Sequence, residues 1–471
     1  MATVKGVQYC GWVIADNEPL EDVGAGFVGW LDSPDLVIAM TWSQMAIAKK
    51  YTLVMQLKWK RHGDFTPVTI RVGNPDVFEE NVTSMEWLVF SDFTVLAVGT
   101  SAGALRIYTE QGTLLFQQQF NSGPLLRLRA RQDGNIVVGL TASEDVCLVF
   151  PKAIARIDVV DLHTVLRKCQ ARYDRVNRRS GELHRSESFS LRLPYEMWNV
   201  GKSTASSYIA DGALACVMAP PLLEHQLKRH YCALTVGEDC TLAAFRVSGE
   251  KRDSFAGIVF DKVMPAAIST FSHLTKRFWK TDPTSEANRP TEVASQAFGR
   301  ATLITTLRDK QRKGLSLALS SSGSLAAVTD SLGRISLIDV QALVVVRLWK
   351  GYREAHCVFL EAPVDGRAEY EIVQSRRRRR FVRDEFKLCL AIHAPRRGVV
   401  EVWQMRYGAR LMIVKCTEGC RLLQPTCKFS FSNELTLESV DEDEYIPAQV
   451  YMFQGNAGVL QLLNPFARST W

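Results

Sequence analysis

Residues Leu325–Gly351 read "LAAVTDSLGRISLIDVQALVVVRLWKG". An apolar run leads into a polar turn containing Gly333. A second apolar run, a short turn and a third run follow, and "LSLALSSSG" just upstream supplies one more strand. Runs this short, bounded by Gly, Ser and Asp, are strands rather than helices. The same order of strand, turn and strand recurs along the chain. It appears in "LVIAMTWSQMAIAKKYTLVMQLKW" from Leu36, "VLAVGTSAGALRIYTEQGTLLFQQQF" from Val95 and "IVVGLTASEDVCLVFPKAIARIDVVDL" from Ile136. It returns in "YCALTVGEDCTLAAFRV" from Tyr231, "LCLAIHAPRRGVVEVWQMRYGARLMIVKC" from Leu388 and, in part, "VYMFQGNAGVLQLLNPF" from Val450. A small sheet of this kind cannot bury both faces alone, so neighbouring units must stack. About seven such units predict an all-β, WD40-like β-propeller. An array of β-sandwiches is the alternative, disfavoured because one grammar runs through the whole chain.

The expected organisation is one propeller over 1–471 with three insertions. The first is helical, about 162–179: Leu162, Leu166, Cys169, Tyr173 and Val176 share one helical face. The second, about 261–314, contains Val263, Ala267, Phe271, Leu274 and Phe278 at helical spacing beside Lys276, Arg277 and Lys280. That pattern suits a helix lying on the propeller side, on a membrane or on a partner. The third, about 361–386, carries the run Arg376–Arg380. "VQYCGWVIA", Val7–Ala15, is strand-like but precedes the first unit. It is expected to close the ring by adding to the sheet of Val450–Pro465, because a propeller hides its sheet edges by pairing one terminus into the blade formed by the other.

Composition excludes several function classes. The 471 residues are 46% hydrophobic and 23% charged, which is ordinary for a globular chain. No secretory signal and no apolar run long enough to span a bilayer stand in the sequence. Eleven irregularly spaced cysteines fit reduced thiols better than a disulfide framework. A net charge of +7 is compatible with acidic proteins or an anionic membrane surface and does not call for nucleic acid.

Catalytic and cofactor motifs fail on context. "GAGFVG", Gly24–Gly29, matches the dinucleotide pattern, yet a polar stretch precedes it and Asp32, Ser33 and Pro34 stop any helix behind it. Gly24, Gly26 and Gly29 are therefore turn glycines. "NVGKSTAS" has Gly201, Lys202, Ser203 and Thr204 but Glu196 where a phosphate loop needs its first glycine. Cys416, Cys420 and Cys427 lack a fourth ligand in register for zinc. No acid, base or nucleophile constellation appears, so neither enzyme activity nor a cofactor is expected.

"LAAVTDSLGRISLIDVQALVVVRLWKGYREA" and "HAPRRGVVEVWQMRYGARLMIVKCTEGCRLLQP" resemble stretches of the non-catalytic, regulatory subunit of the Rab-three GTPase-activating complex. "LEDVGAGFVGWL" and "LRLPYEMWNVG" are similar to the N-terminal region of the same family, and the resemblance is collinear from about Glu21 to Pro425. Trp349–Arg353 and the turn Pro395–Gly398 are its most specific parts. The resemblance implies a cytoplasmic scaffold, peripheral to the endoplasmic reticulum or other endomembranes. Its partner would be a catalytic subunit, and the pair would stimulate GTP hydrolysis on a Rab GTPase. The family is also linked to nucleotide exchange on a Rab. Its members continue into a long helical region, so a sequence stopping at Trp471 is expected to be a fragment or a shortened relative. The other class of function that fits is a peripheral membrane or coat-type propeller binding anionic lipid through basic insertions, without a Rab.

In a four-stranded blade, the turn between strands two and three and the link from strand four to the next blade emerge on one face. That template gathers Arg334, Lys350, Tyr352, Arg353, Arg396 and Arg397 on one rim. Arginine and tyrosine there suit a docking site for the catalytic subunit or an acidic Rab surface. Reversing Arg396 and Arg397 is expected to weaken assembly without moving the melting curve. The competing reading is that these are solvated turn charges, or that Trp349 and Tyr352 merely seal one blade against the next.

Overall fold

In the computed structural model, Leu325–Asp330, Arg334–Asp339 and Val344–Lys350 are strands two to four of an antiparallel sheet begun by Gly314–Leu319. The structure describes residues 7–13, 18–58, 67–72, 80–131, 144–179, 191–201, 208–218, 229–249, 298–363, 386–405, 407–416, 419–426, 428–429 and 446–466. Strands two and three of this blade are buried along almost their whole length, while strand four is largely exposed. This is the signature of a sheet sandwiched between two neighbours with its outer edge to solvent.

Seven such four-stranded sheets make the molecule a seven-bladed β-propeller. Blade one is Leu36–Met40, Gln44–Lys49, Thr52–Lys58 and Val68–Arg71; blade two is Val82–Val89, Thr94–Thr100, Ala104–Thr109 and Leu114–Gln119. Blade three is Arg127–Arg131, Asp145–Val149, Ala153–Asp158 and Glu196–Asn199. Blade four is Ile209–Met218, Arg229–Gly237, Leu242–Gly249 and Ala301–Leu307, and blade five is the sheet above. Blade six is His356–Pro363, Phe386–Ala394, Val399–Gln404 and Arg410–Lys415. Blade seven is Cys420–Leu423, Tyr451–Gln454 and Val459–Leu463, completed by Val7–Trp12.

Ring closure follows the sequence expectation. Val7 pairs with Leu463 and Trp12 with Val459, antiparallel, with an irregularity between Tyr9 and Gly11. The N-terminal strand thus covers the edge that blade seven would otherwise present. The first strands of successive blades touch in order around the ring, and blade one meets blade seven. Asp211 knits three of them: its carboxylate accepts from Arg129 Nη2 at 2.8 Å and from the Leu317 amide at 2.9 Å. Past strand one of blade seven, Pro425 and Lys428 bridge Met40 and Val89, so this segment crosses to the inner strands of blades one and two.

The insertions differ from expectation at their boundaries. The helix runs Val159–Arg179, between strands three and four of blade three. Leu162, Leu166 and Cys169 are buried against blades two and three, while Tyr173 is half exposed. The insertion read as about 261–314 is shorter, because Ala301–Leu307 is the outer strand of blade four and Gly314 opens blade five. That strand is Thr-rich and mostly exposed, so it carries no burial alternation to read. The loop read as about 361–386 gives up residues at both ends to strands His356–Pro363 and Phe386–Ala394. Val263, Ala267, Phe271, Leu274 and Phe278, and likewise Arg376–Arg380, lie outside the described residues. Gly24, Gly26 and Gly29 all have positive φ, in the turns between two short 3-10 segments at Glu18–Val23 and Trp30–Asp32.

Candidate partner-docking rim

Two tight turns build the rim. In blade five, Asp330 Oδ1 accepts from the amides of Leu332 at 3.0 Å and Arg334 at 2.8 Å, closing the turn. Gly333 has φ 77°, and a Cβ there would stand 2.8 Å from the Arg353 backbone nitrogen. Glycine therefore lets the link after strand four lie directly on the turn, where the Tyr352 amide donates to the Gly333 carbonyl at 2.8 Å. In blade six, Pro395–Arg397 form one 3-10 turn closed by Gly398 at φ 60°. Pro395 presets the first backbone angle, and Arg396 and Arg397 are left exposed.

The structure brings all six residues to this one sector. Arg334 and Lys350 face each other across strands three and four of blade five. Tyr352 and Arg353 lie on the link, and Arg396 pairs with Glu354 from that same link. Arg397 reaches down to Glu401 at 3.2 Å and lies 5.0 Å above the Tyr352 ring.

Their roles divide. Glu401 is 0% exposed and accepts from Tyr352 Oη at 2.5 Å, Trp403 Nε1 at 2.9 Å and Arg410 Nη1 at 3.0 Å, besides Arg397. Burial pushes its carboxyl up, but the Tyr352 and Trp403 donors and the two guanidinium groups outweigh burial and hold it below its ordinary value. Tyr352 is moved the other way, upward, by burial and by its bond to Glu401. Tyr352 and Trp349 are buried in the seam between blades five and six. The competing reading therefore applies to Tyr352, and Arg397 is anchored to the same buried carboxylate. Reversing Arg397 would set two carboxylates against each other, so the expectation of an unmoved melting curve does not hold for that substitution. Lys350 and Arg353 stand exposed and take no part in the Glu401 network.

Two cavities flank the Arg396–Arg397 turn. One of about 280 Å³ is lined by Leu332, Tyr352, Arg353, Arg396 and Arg397. The other, about 500 Å³, adds Asp32, His393, Lys415, Cys416 and Cys420 to the same two arginines. His393 is buried, and burial together with neighbouring His356 and Arg421 pushes it down to about 4, so it is neutral at physiological pH. The two cavities share Arg396 and Arg397, and Lys415 adds a third cation to the larger one.

Sequence reasoning missed Asp32, Lys415, Glu354 and Glu401. Only Glu401 left a signal: a carboxylate in the middle of the apolar strand "VVEVWQ" requires partners. Among the described residues, no group of His, Cys, Asp or Glu is placed to hold a metal ion, and no helix is long and apolar enough to cross a membrane.

A family model described as the Rab3 GTPase-activating protein regulatory subunit N-terminus matches residues 30–423. The Rab3 GTPase-activating protein regulatory subunit of Caenorhabditis elegans is 24% identical over 370 residues, covering 76% of this chain and 26% of that protein. The chain thus spans about a quarter of its curated relative. Among solved structures, a chain of the mitotic checkpoint complex is similar at TM-score 0.44 and 9% identity, covering 98% of this chain and 92% of that one. The WD40 β-propeller domain of Doa1 is similar at TM-score 0.43 and 9% identity, covering 97% and 96%.

Proposed function

The chain belongs to the family of Rab3 GTPase-activating protein regulatory subunits, through its N-terminal region, and from that membership we propose that it is a non-catalytic scaffold in a Rab-regulating complex. Its partners in this reading are a catalytic subunit and a Rab GTPase, in membrane traffic on cytoplasmic faces of endomembranes. GTPase stimulation, and any contribution to nucleotide exchange, proceeds in the assembly, with the propeller holding the parts in register.

The observation that carries the docking site is the sector around Arg396 and Arg397, where two cavities that share these arginines lie beside exposed or half-exposed cations from the neighbouring link and turns. Arg334, Lys350, Arg353 and Arg396 supply the positive field, and Tyr352 and Arg397 form its rigid floor. An acidic surface of the catalytic subunit or of the Rab fits that field. Lys350→Glu with Arg353→Glu tests the reading without touching Glu401. Assembly or Rab stimulation should fall by about tenfold, equivalent to about 1.4 kcal/mol, with no change in melting. Lys387→Glu, at the opposite end of strand two in blade six, is the control. Wild-type assembly and stimulation in the double variant would end this reading.

A further inference from the structure

Between the closing strand Val7–Trp12 and blade one, the 3-10 segments Glu18–Val23 and Trp30–Asp32 are joined by "GAGFVG", Gly24–Gly29. The apolar side chains on either side of this turn are buried: Leu20, Val23, Ala25, Trp30 and Leu31. Phe27 and Val28 are not, at 71% and 85% exposed. Two adjacent apolar side chains left in water forgo the burial that the rest of the link obtains.

The turn holds the pair on a fixed frame. The Gly24 amide donates to the Glu21 carbonyl at 2.8 Å, Ala25 to Leu20 at 3.1 Å and Trp30 to Phe27 at 3.2 Å. Gly24, Gly26 and Gly29 have φ of 84°, 88° and 75°, which glycine adopts without strain. Beneath them, Trp30 meets Phe453 edge-on with ring centroids 5.7 Å apart, and Arg421 of blade seven donates to the carbonyls of Leu31 and Ser33, both at 2.7 Å. Side chains presented on such a frame need little ordering when they bind.

The pair stands on the face of the rim. Trp30 Nε1 donates at 3.4 Å to the carbonyl of Gly455, in the turn between strands two and three of blade seven, and turns of this kind build the rim. Asp32, at the foot of the same link, lines the cavity that Arg396, Arg397 and Lys415 also line. Along the chain, exposed Glu21 and Asp22 precede the pair and exposed Asp32 and Asp35 follow it. Lys49 Nζ lies beside Gly24, but the carboxylates outnumber it and oppose entry into an anionic bilayer. An apolar pocket on a protein fits this tip better.

We propose, building on the reading that the rim docks the catalytic subunit, that Phe27 and Val28 are an apolar anchor entering a pocket of that same subunit. Interfaces concentrate aromatic and apolar anchors at their buried centre and leave charge to the surround. The two parts of the surface then act differently. The rim cations steer the approach, and the anchor sets how long the complex lasts.

That division makes the test, with purified catalytic subunit as the probe and association and dissociation rates followed at low and high salt. Phe27→Ala with Val28→Ser should speed dissociation by about ten- to a hundredfold, at both salt concentrations and with an unmoved melting curve. Phe27→Leu with Val28 intact should restore most of the lifetime. Lys350→Glu with Arg353→Glu should instead slow association, an effect that fades in high salt. If that pair weakens binding while Phe27→Ala with Val28→Ser dissociates like wild type, the anchor is overturned and the rim reading stands. The opposite pattern supports the anchor and removes the rim. Flotation on phosphatidylcholine–phosphatidylserine vesicles that is lost in Phe27→Ala with Val28→Ser would overturn the proposal in favour of a membrane, as would a wild-type chain that does not bind the subunit in favour of another partner.

Discussion

Replacing Glu401 by Gln removes the charge beneath the rim and keeps its volume. The wild-type carboxylate receives four donors, two from buried or half-buried aromatic residues and two from guanidinium groups. Bonds to a charged acceptor contribute roughly 1.5–3 kcal/mol each and neutral ones about 0.5–1.5. Tyr352 and Trp403 each lose about 1 kcal/mol in that exchange. Arg397 and Arg410 are 44% and 43% exposed, so water screens their share and takes their place once the charge is gone. The amide must also turn its NH₂ towards one pair of donors, which leaves that pair without an acceptor. The sum is about 2–3 kcal/mol. Urea unfolding followed by tryptophan emission is the assay, since Trp403 reports from the site itself. The loss should depend on pH. A carboxyl held below its unfolded value stabilises the fold above that value, and the gain disappears as pH falls through the folded one. The two proteins should therefore converge in acid. Tyr352→Phe in the Glu401→Gln background should cost about 1 kcal/mol less than in the wild type. A Glu401→Gln chain as stable as wild type at neutral pH would refute the claim that this carboxylate holds the seam.

Two further perturbations test the ring. Glu86, on the first strand of blade two, is bonded to Thr426 Oγ1 at 2.6 Å, and burial pushes its carboxyl from 4.5 to about 7. A raised carboxyl stabilises the fold below its unfolded value and loses that contribution as pH rises through the folded one; at about 1.4 kcal/mol per unit, the loss is at most about 3.5 kcal/mol. Glu86→Gln should therefore gain stability over wild type at about pH 8 and not at about pH 5, read from paired urea curves; a gain equal at both would refute the assignment. Deleting residues 1–13 removes the strand that pairs five positions of blade seven. At about 0.5–1.5 kcal/mol per ladder bond the cost is about 3–7 kcal/mol, with self-association through the bared edge, visible by size-exclusion chromatography. A monomeric, equally stable deletion would refute strand Val7–Trp12 as the closing element.

How much of this was legible in the sequence depends on the range of the interactions. Blade five could be read from Leu325–Gly351 because its strands are consecutive, joined by short turns, and apolar wherever both faces meet a neighbouring blade. Ring closure by the N-terminal stretch, read as Val7–Ala15 and paired over Val7–Trp12, followed from the rule that a propeller covers its open sheet edge with the other terminus. Ala301–Leu307 escaped because an outer strand with exposed threonines has no buried face to impose a pattern. The gathering of Arg334, Lys350, Tyr352, Arg353, Arg396 and Arg397 could be inferred from the blade template alone, because turn position is set by strand order. Their division into floor and exposed field could not. It depends on Glu401, which the fold buries under four donors, and on contacts such as Arg421 Nε to the Leu31 carbonyl at 2.7 Å, spanning 390 residues. A one-dimensional pattern encodes which side of each strand is buried. Which charges then share a cavity is decided only when the ring closes and brings its two ends together.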